Sequence, residues 1–195
     1  MILDAASEVF AANGFDQASM REIAKAAAVT TPVLYDHFRS KIDLYVAVVR
    51  QHAESLVANW SNAEGPSPAT SSPEALFRRT STTFFSWIRR NESSWRILFL
   101  DNPRDPAAVQ AHQEVRDLTT EAMAGLVARL PSGGRTGPIE VTRSNRAIAA
   151  QLTGAGNALV TWWWDNRDIS TEAVVQLNFD LMWHGLRQLH QPLQR

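Results

Sequence analysis

Ser19-Met20-Arg21-Glu22-Ile23-Ala24-Lys25-Ala26-Ala27-Ala28-Val29-Thr30-Thr31-Pro32-Val33-Leu34-Tyr35-Asp36-His37-Phe38-Arg39-Ser40-Lys41 is the stretch on which the fold turns. It opens with a capping box: a serine three positions before a glutamate, each side chain placed to bond the other's amide. A short helix is expected from there to about Ala27. Thr30 or Thr31 is placed to cap a second helix, and Pro32 suits its first turn, where a missing N–H costs nothing. Ser40-Lys41-Ile42-Asp43 is a further helix start with an acid at the third position. Ala24 is small where the two short helices approach, Ile23 and Leu34 are apolar where the pair must rest on supports, and Val29 is apolar in the turn. The turn position that suits glycine holds Ala28; a left-handed alanine there costs about 1 kcal/mol.

Outward from this stretch, supports appear on both sides. Ile2, Ala6, Val9 and Phe10 share one helical face, and Gly14 is placed to end that helix. On the other side Leu44, Val48, Val49, His52, Leu56 and Trp60 keep a helical spacing. Long, short, short, long is the layout of a braced helix-turn-helix.

The rest of the chain also reads as helical, with no strand-like alternation between turn signals. Two segments are loop-like by composition, Ser61 to Pro73 and Pro131 to Pro138, with a further break at Asn102-Pro103-Arg104-Asp105-Pro106. Helices are expected from near Pro73 (face Leu76, Phe77, Thr80, Phe84, Trp87, Ile88), briefly around Trp95, Leu98 and Phe99, and from Asp105 to Leu130. Two more follow, near Arg143–Asp165 and Thr171–His190. The last is apolar on two sides, with Val174, Leu177 and Leu181 on one, and Val175, Phe179, Met182, Leu186 and Leu189 on the other. A helix apolar nearly all round needs two partners, and one of them is read as a second subunit. The fold class is therefore all-α, about nine helices: an N-terminal three-helix helix-turn-helix domain over residues 1–45, and a helical ligand-binding and dimerisation domain over 46–195.

Composition bounds the function. Hydrophobic residues make up 45% and charged residues 20% of 195, which supports a packed core rather than disorder. With no cysteine, disulfides, a thiolate nucleophile and thiolate metal sites are excluded. Nineteen basic residues against 20 acidic leave no global basic surface, so any nucleic-acid contact must be local. The start Met1-Ile2-Leu3-Asp4 shows no targeting pattern, and a cytoplasmic location is expected. Ala147 to Trp164 carries no formal charge, but Gln151, Thr153, Gly154, Gly156, Asn157 and Thr161 suit a buried helix better than a membrane span. No Gly-x-Ser-x-Gly elbow, phosphate loop or metal-spaced histidine pair is present, so neither an enzyme class nor a cofactor is indicated.

Phe10-Ala-Ala-Asn-Gly-Phe15, then Ser19 to Ala24, then Val29 to Phe38, then Ser40-Lys41, resembles the DNA-binding domain of the tetracycline-repressor (TetR) family. The resemblance covers about residues 1 to 50, and the Leu-Tyr-x-His-Phe and Ser-Lys elements are its specific part. It implies an all-helical homodimer that represses transcription from a palindromic operator and is released by a small ligand. It also implies a basic arm before the first helix in many relatives, absent from these residues. In a helix-turn-helix the second helix enters the major groove with its N-terminal residues at base edges. Thr31, Pro32 and Val33 are thus candidates for base or thymine-methyl contact. Thr30, Tyr35 and His37 are candidates for phosphate contact, as are Ser19 and Lys41 at their helix starts. Tyr35 and Phe38 also read as core aromatics.

For an apolar or aromatic effector the candidate residues are Phe84, Trp87, Trp95, Phe99, His112, Met123, Leu152 and Asn157. Aromatic faces on separate helices beside isolated polar groups suit a greasy cavity; the same rings equally fill a core or a dimer interface. Trp162, Trp163 and Trp164 are consecutive, so they point three ways and cannot all line one cavity. Gly154 and Gly156 suit a close helix seam or a local bend. Two rival classes remain from the residues alone: a ligand-binding helical protein without DNA binding, and an enzyme.

Overall fold

Both sequence signals that frame the short helices form as written. Ser19 Oγ accepts from the Glu22 amide at 3.3 Å while the Glu22 carboxylate accepts from the Ser19 amide at 3.0 Å. Thr30 Oγ1 accepts from the Val33 amide at 3.5 Å, so Thr30 rather than Thr31 is the cap. The computed structural model describes residues 1–63, 72–129 and 140–186. Among these the fold is all-α: α1 (Ile2–Gln17), α2 (Met20–Ala26), α3 (Thr31–His37), α4 (Lys41–Ala63), α5 (Pro73–Arg90), α6 (Glu92–Trp95), α7 (Pro106–Arg129), α8 (Arg143–Trp164) and α9 (Thr171–Leu186). Arg96–Leu100 continues α6 as a single π turn, closed by the Asp101 amide on the Arg96 carbonyl at 3.0 Å. Leu130, Leu189, His190, the segment 131–138 and most of the segment 61–73 lie outside the described residues. Ser61-Asn62-Ala63, read from composition as the start of a loop, instead extends α4.

The described chain divides into two compact units. The first holds Met1–Leu56 and Asn91–Asp117; the second holds Val57–Arg90 and the chain from Leu118 onward. Helices α4 and α7 each contribute one end to either unit.

In the first unit, α2 and α3 are joined by a left-handed turn. Ala28 has φ 55°, with its amide on the Lys25 carbonyl at 3.2 Å and the Val29 amide on the Ala24 carbonyl at 3.0 Å. That bond pair is a Schellman ending, in which the residue after the cap is normally glycine. Gly14 interrupts the helix where its position suggested, though a short helical stretch follows it within α1. The chain kinks there (φ 71°) and resumes helical geometry to Gln17, and a Cβ at Gly14 would stand 3.3 Å from Asp101 Oδ1.

The core of this unit contains two polar clusters. Tyr45, fully buried, donates to Asp101 Oδ2 at 2.6 Å and stands 2.7 Å from His112 Nε2; the same Asp101 oxygen accepts the Phe15 amide at 3.1 Å. His52 lies between two hydroxyls, Ser7 Oγ at 2.7 Å and Ser94 Oγ at 2.9 Å. Burial pushes the Tyr45 phenol far above its ordinary range, and the Asp101 carboxylate adds to the shift. Burial also holds His52 below 6.5 against the pull of Asp4 and Glu8. It holds His112 below 6.5 against Asp101, with Arg116 acting in the same direction as burial.

In the second unit α5 packs along α9, and α8 also meets α9. Phe85, not Phe84, is the fully buried ring of α5; Phe84 is half-buried at the edge of the stripe and meets Trp60 and Gly156. Asn178 donates to Ser81 Oγ at 3.2 Å across the α5–α9 contact, and the Arg78 guanidinium lies 3.7 Å over the Phe179 ring. On α9, Val174, Val175 and Phe179 are buried while Leu177 and Leu181 are 42% and 63% exposed. Val174 therefore joins the inner face rather than the Leu177/Leu181 side.

Ala28→Gly is expected to raise the unfolding free energy by about 0.5–1 kcal/mol, relief of left-handed strain outweighing the looser unfolded chain; urea denaturation measures it. A histidine held below its unfolded pKa binds fewer protons in the folded state. Stability is therefore expected to be full above pH 6.5 and to fall as pH drops through it, from His52 and His112 together. Denaturation midpoints across pH 5 to 8 check this, and His52→Asn should flatten part of the slope.

Candidate nucleic-acid interface

Helix α3 has seven residues and one anchor. Leu34 is fully buried, whereas Val33 is 39% and Tyr35 48% exposed. Pro32, Asp36 and His37 are also exposed, and Thr31 is half-buried. A helix this short does not stand alone in water; it is held by Leu34 and by its packing on α2. Its outer face therefore presents an unpaired set of groups: the valine and proline carbons, a phenol and an imidazole. The Tyr35 side chain is on this face and not in the core; Phe38, at the end of α3, is half-buried.

The charges nearest in sequence fall into two kinds. Arg21, Lys25 and Arg39 are exposed and carry no ion pair among the described residues. Lys41 is committed inward: its ammonium donates to the carbonyls of Phe15 (2.7 Å), Asp16 (3.2 Å) and Ala18 (2.9 Å) and lies 4.5 Å over the Phe15 ring. Ser19, exposed at the start of α2, gives its hydroxyl proton to Glu22 at 2.7 Å, and these bonds from Ser19 hold the Glu22 carboxyl below its ordinary range. Any phosphate reaching Ser19 meets that anion.

The effector candidates are divided between the units. Trp95 (fully buried), Phe99 (half-buried) and His112 belong to the first, where His112 is engaged with Tyr45. Phe84, Trp87, Met123, Leu152 and Asn157 belong to the second, with Trp87 buried and the other four half-buried. Of the three consecutive tryptophans, Trp163 is buried, Trp164 half-buried and Trp162 47% exposed. Gly156 is in contact range of Phe84, where a Cβ would lie 3.6 Å from the ring, and Gly154 faces open space. The Arg89–Trp163–Trp164–Arg167 cleft, about 170 Å³, was not anticipated from sequence. Nor was the inward bonding of Lys41, because its acceptors are backbone carbonyls that composition does not mark.

A braced helix pair with an unpartnered outer face on the second helix, and free cations beside it, is the architecture of a helix-turn-helix DNA-binding protein. The family model described as bacterial regulatory proteins, tetR family, matches residues 2–48. The transcriptional activator FasR of Mycolicibacterium smegmatis is 33% identical over 196 residues, covering all of this chain and 84% of the relative. The crystal structure of a TetR-like transcriptional regulator from Rhodococcus sp. RHA1 is 29% identical and covers 96% of this chain and 94% of that one, with a TM-score of 0.74. FadR from Bacillus subtilis, solved in complex with stearoyl-CoA, shares the fold at 20% identity and a TM-score of 0.74, over 93% of this chain and 95% of its own. This chain belongs to the tetR family of bacterial transcriptional regulators. Among the described residues no helix is long and apolar enough to cross a membrane.

Lys41→Ala is expected to lower the unfolding free energy by about 1–3 kcal/mol, because three carbonyls at the end of α1 lose a charged donor. Chemical denaturation of the purified variant checks it. Loss of DNA affinity without loss of stability would place the lysine's role on the DNA instead.

Proposed function

We propose that this protein is a ligand-responsive transcriptional regulator that binds a palindromic operator as a homodimer and acts in the cytoplasm. Residues 1–45 serve DNA binding, and 46–195 serve effector binding and dimerisation. The observation that carries the reading is the exposed outer face of α3, in which only Leu34 is spent on packing. Thr31, Pro32 and Val33 then meet base edges or thymine methyls. Thr30, Tyr35 and His37 meet phosphates, joined by Arg21, Lys25 and Arg39, whose charges are free for that use. Ser19 and Lys41 support the interface chiefly by fixing the ends of α1 and α2. The effector is largely apolar or aromatic and is taken up among Phe84, Trp87, Met123, Leu152 and Asn157.

Repression is what the sequence resemblance implies, yet the full-length relative FasR is an activator. A bound dimer blocks or recruits polymerase according to where its operator lies, so the sign belongs to the promoter and the DNA-binding step is common to both. The dimer reading is supported by apolar side chains left outside on α8 and α9: Trp162, Leu177 and Leu181.

Footprinting on the DNA beside its own gene is the test. An inverted repeat is expected, with half-sites roughly 34–36 Å apart or a multiple of that. Changes at Thr31 or Val33 should alter base preference by about 1–3 kcal/mol per position, while Arg21→Ala, Lys25→Ala or Arg39→Ala should weaken all sequences alike and lower the salt slope by about one each. No protection at any salt sinks the reading. Leu181→Glu is expected to give a folded monomer by sedimentation and to abolish operator binding, since one half-site carries too little affinity; a stable dimer from that variant would put the interface elsewhere.

A further inference from the structure

Aromatic rings run in a continuous seam through the second unit. Trp60 of α4 meets Phe84 at 6.0 Å between centroids, Phe84 meets Phe85 at 5.1 Å, and Phe85 meets Trp163 of α8 at 6.1 Å. Two buried indoles bound the seam, and their polar atoms are treated differently. Trp163 Nε1 donates to the Ile169 carbonyl at 2.8 Å. Trp60 is 3% exposed, and its Nε1 has no acceptor among the described residues. An unmade hydrogen bond on a buried donor costs the full desolvation of that group, and native interiors seldom leave one without a use. The ring beside it, Phe84, is half-buried and faces a glycine, Gly156, so it has room to give.

From this pairing of an orphan donor with a yielding ring, we infer that Trp60 is a ligand-binding residue, and that the effector carries an uncharged oxygen acceptor (a ketone, ester, thioester or amide carbonyl) on an otherwise apolar body. The inference rests on the effector reading proposed above and deepens it. A neutral carbonyl fits better than a carboxylate. A buried anion needs a cation at hand, and three guanidiniums of this unit stand over other rings: Arg78 over Phe179, Arg89 over Trp163 and Arg167 over Trp164. A pure hydrocarbon against the same rings would leave the indole proton unmet. The donor thus discriminates between ligands of equal greasiness, as buried polar groups do in selective pockets.

The experiment uses the full chain with its 7 tryptophans labelled at the indole nitrogen. Trp60→Phe assigns the Trp60 resonance by its disappearance and keeps an aromatic ring in place. A medium-chain methyl ketone and the n-alkane of equal length are titrated in parallel. The ketone is expected to move the Trp60 Nε1–H resonance downfield and the alkane to leave it in place. Trp60→Phe should weaken ketone binding about tenfold, the loss of one hydrogen bond, and change alkane binding less than about twofold. Saturable ketone binding with an unmoved Trp60 resonance overturns the assignment and leaves the effector reading standing, as does an equal loss for both probes in the variant. Saturable binding of neither probe overturns both. The resonance shift is read on the unmutated chain, and where Trp60→Phe folds poorly Trp60→Tyr supplies the assignment.

Discussion

One ammonium group fixes the geometry on which the DNA-binding unit depends. Lys41 is the first residue of α4, and its three donors end on carbonyls of Phe15, Asp16 and Ala18, where α1 finishes. Helix C-termini leave carbonyls unsatisfied and carry partial negative charge, so a lysine there answers both demands at once. The bonds join the last turn of one supporting helix to the first turn of the other. Between those two points in the chain lie α2 and α3, whose ends are thereby pinned. The kink at Gly14 belongs to the same constraint. The Phe15 amide bonds Asp101 and the Phe15 carbonyl bonds Lys41, so the two peptides that flank the Phe15 Cα are both held.

Bracing of this kind is what allows α3 to be poor in core residues. A seven-residue helix with a single buried side chain has little intrinsic stability, and its cap bond to Thr30 is long. The strain at Ala28 is a further local cost. These concessions fall together at one place in the unit, while Phe10, Ile23, Leu44, Tyr45 and Val48 are packed almost completely. Local rules broken side by side, next to a well-packed support, mark a surface shaped for a partner rather than for stability.

The helix-turn-helix was legible because its signals are local. The capping box at Ser19, the serine start at Ser40, a proline at a first turn and apolar spacing each act over one or two turns, and all of them formed. Ala28 was legible for the same reason, since a Schellman ending demands a left-handed residue whatever surrounds it. Where contacts span the chain the sequence was silent. Asp101 reaches Phe15 across 86 residues, and nothing near Asp101 announces it. His112 looked like an isolated polar group on an apolar helix; its partner, Tyr45, lies 67 residues away. Phe84 and Phe85 are adjacent, and helical periodicity alone did not decide which of them points inward. Trp60 was legible as part of the helical spacing of α4, but an orphan donor is a property of three-dimensional surroundings and has no sequence signature.

On the proposed reading, α4 is the element that effector and DNA share. Its residues 41–56 belong to one unit and 57–63 to the other, so Lys41 and Trp60 stand on the same helix in different units. An effector biases DNA affinity only as far as it prefers one arrangement of this helix over another. Gradual bending spreads a disturbance at Trp60 thinly over five turns, whereas the bonds at Lys41 are either made or lost. Couplings between sites typically amount to about 1–3 kcal/mol, the same range as one charged hydrogen bond. Shifting α4 enough to exchange a single Lys41 bond therefore suffices, and the rest of the network need not break. Because the coupling is a free energy, operator DNA that holds the Lys41 contacts in place must weaken the effector by the same factor.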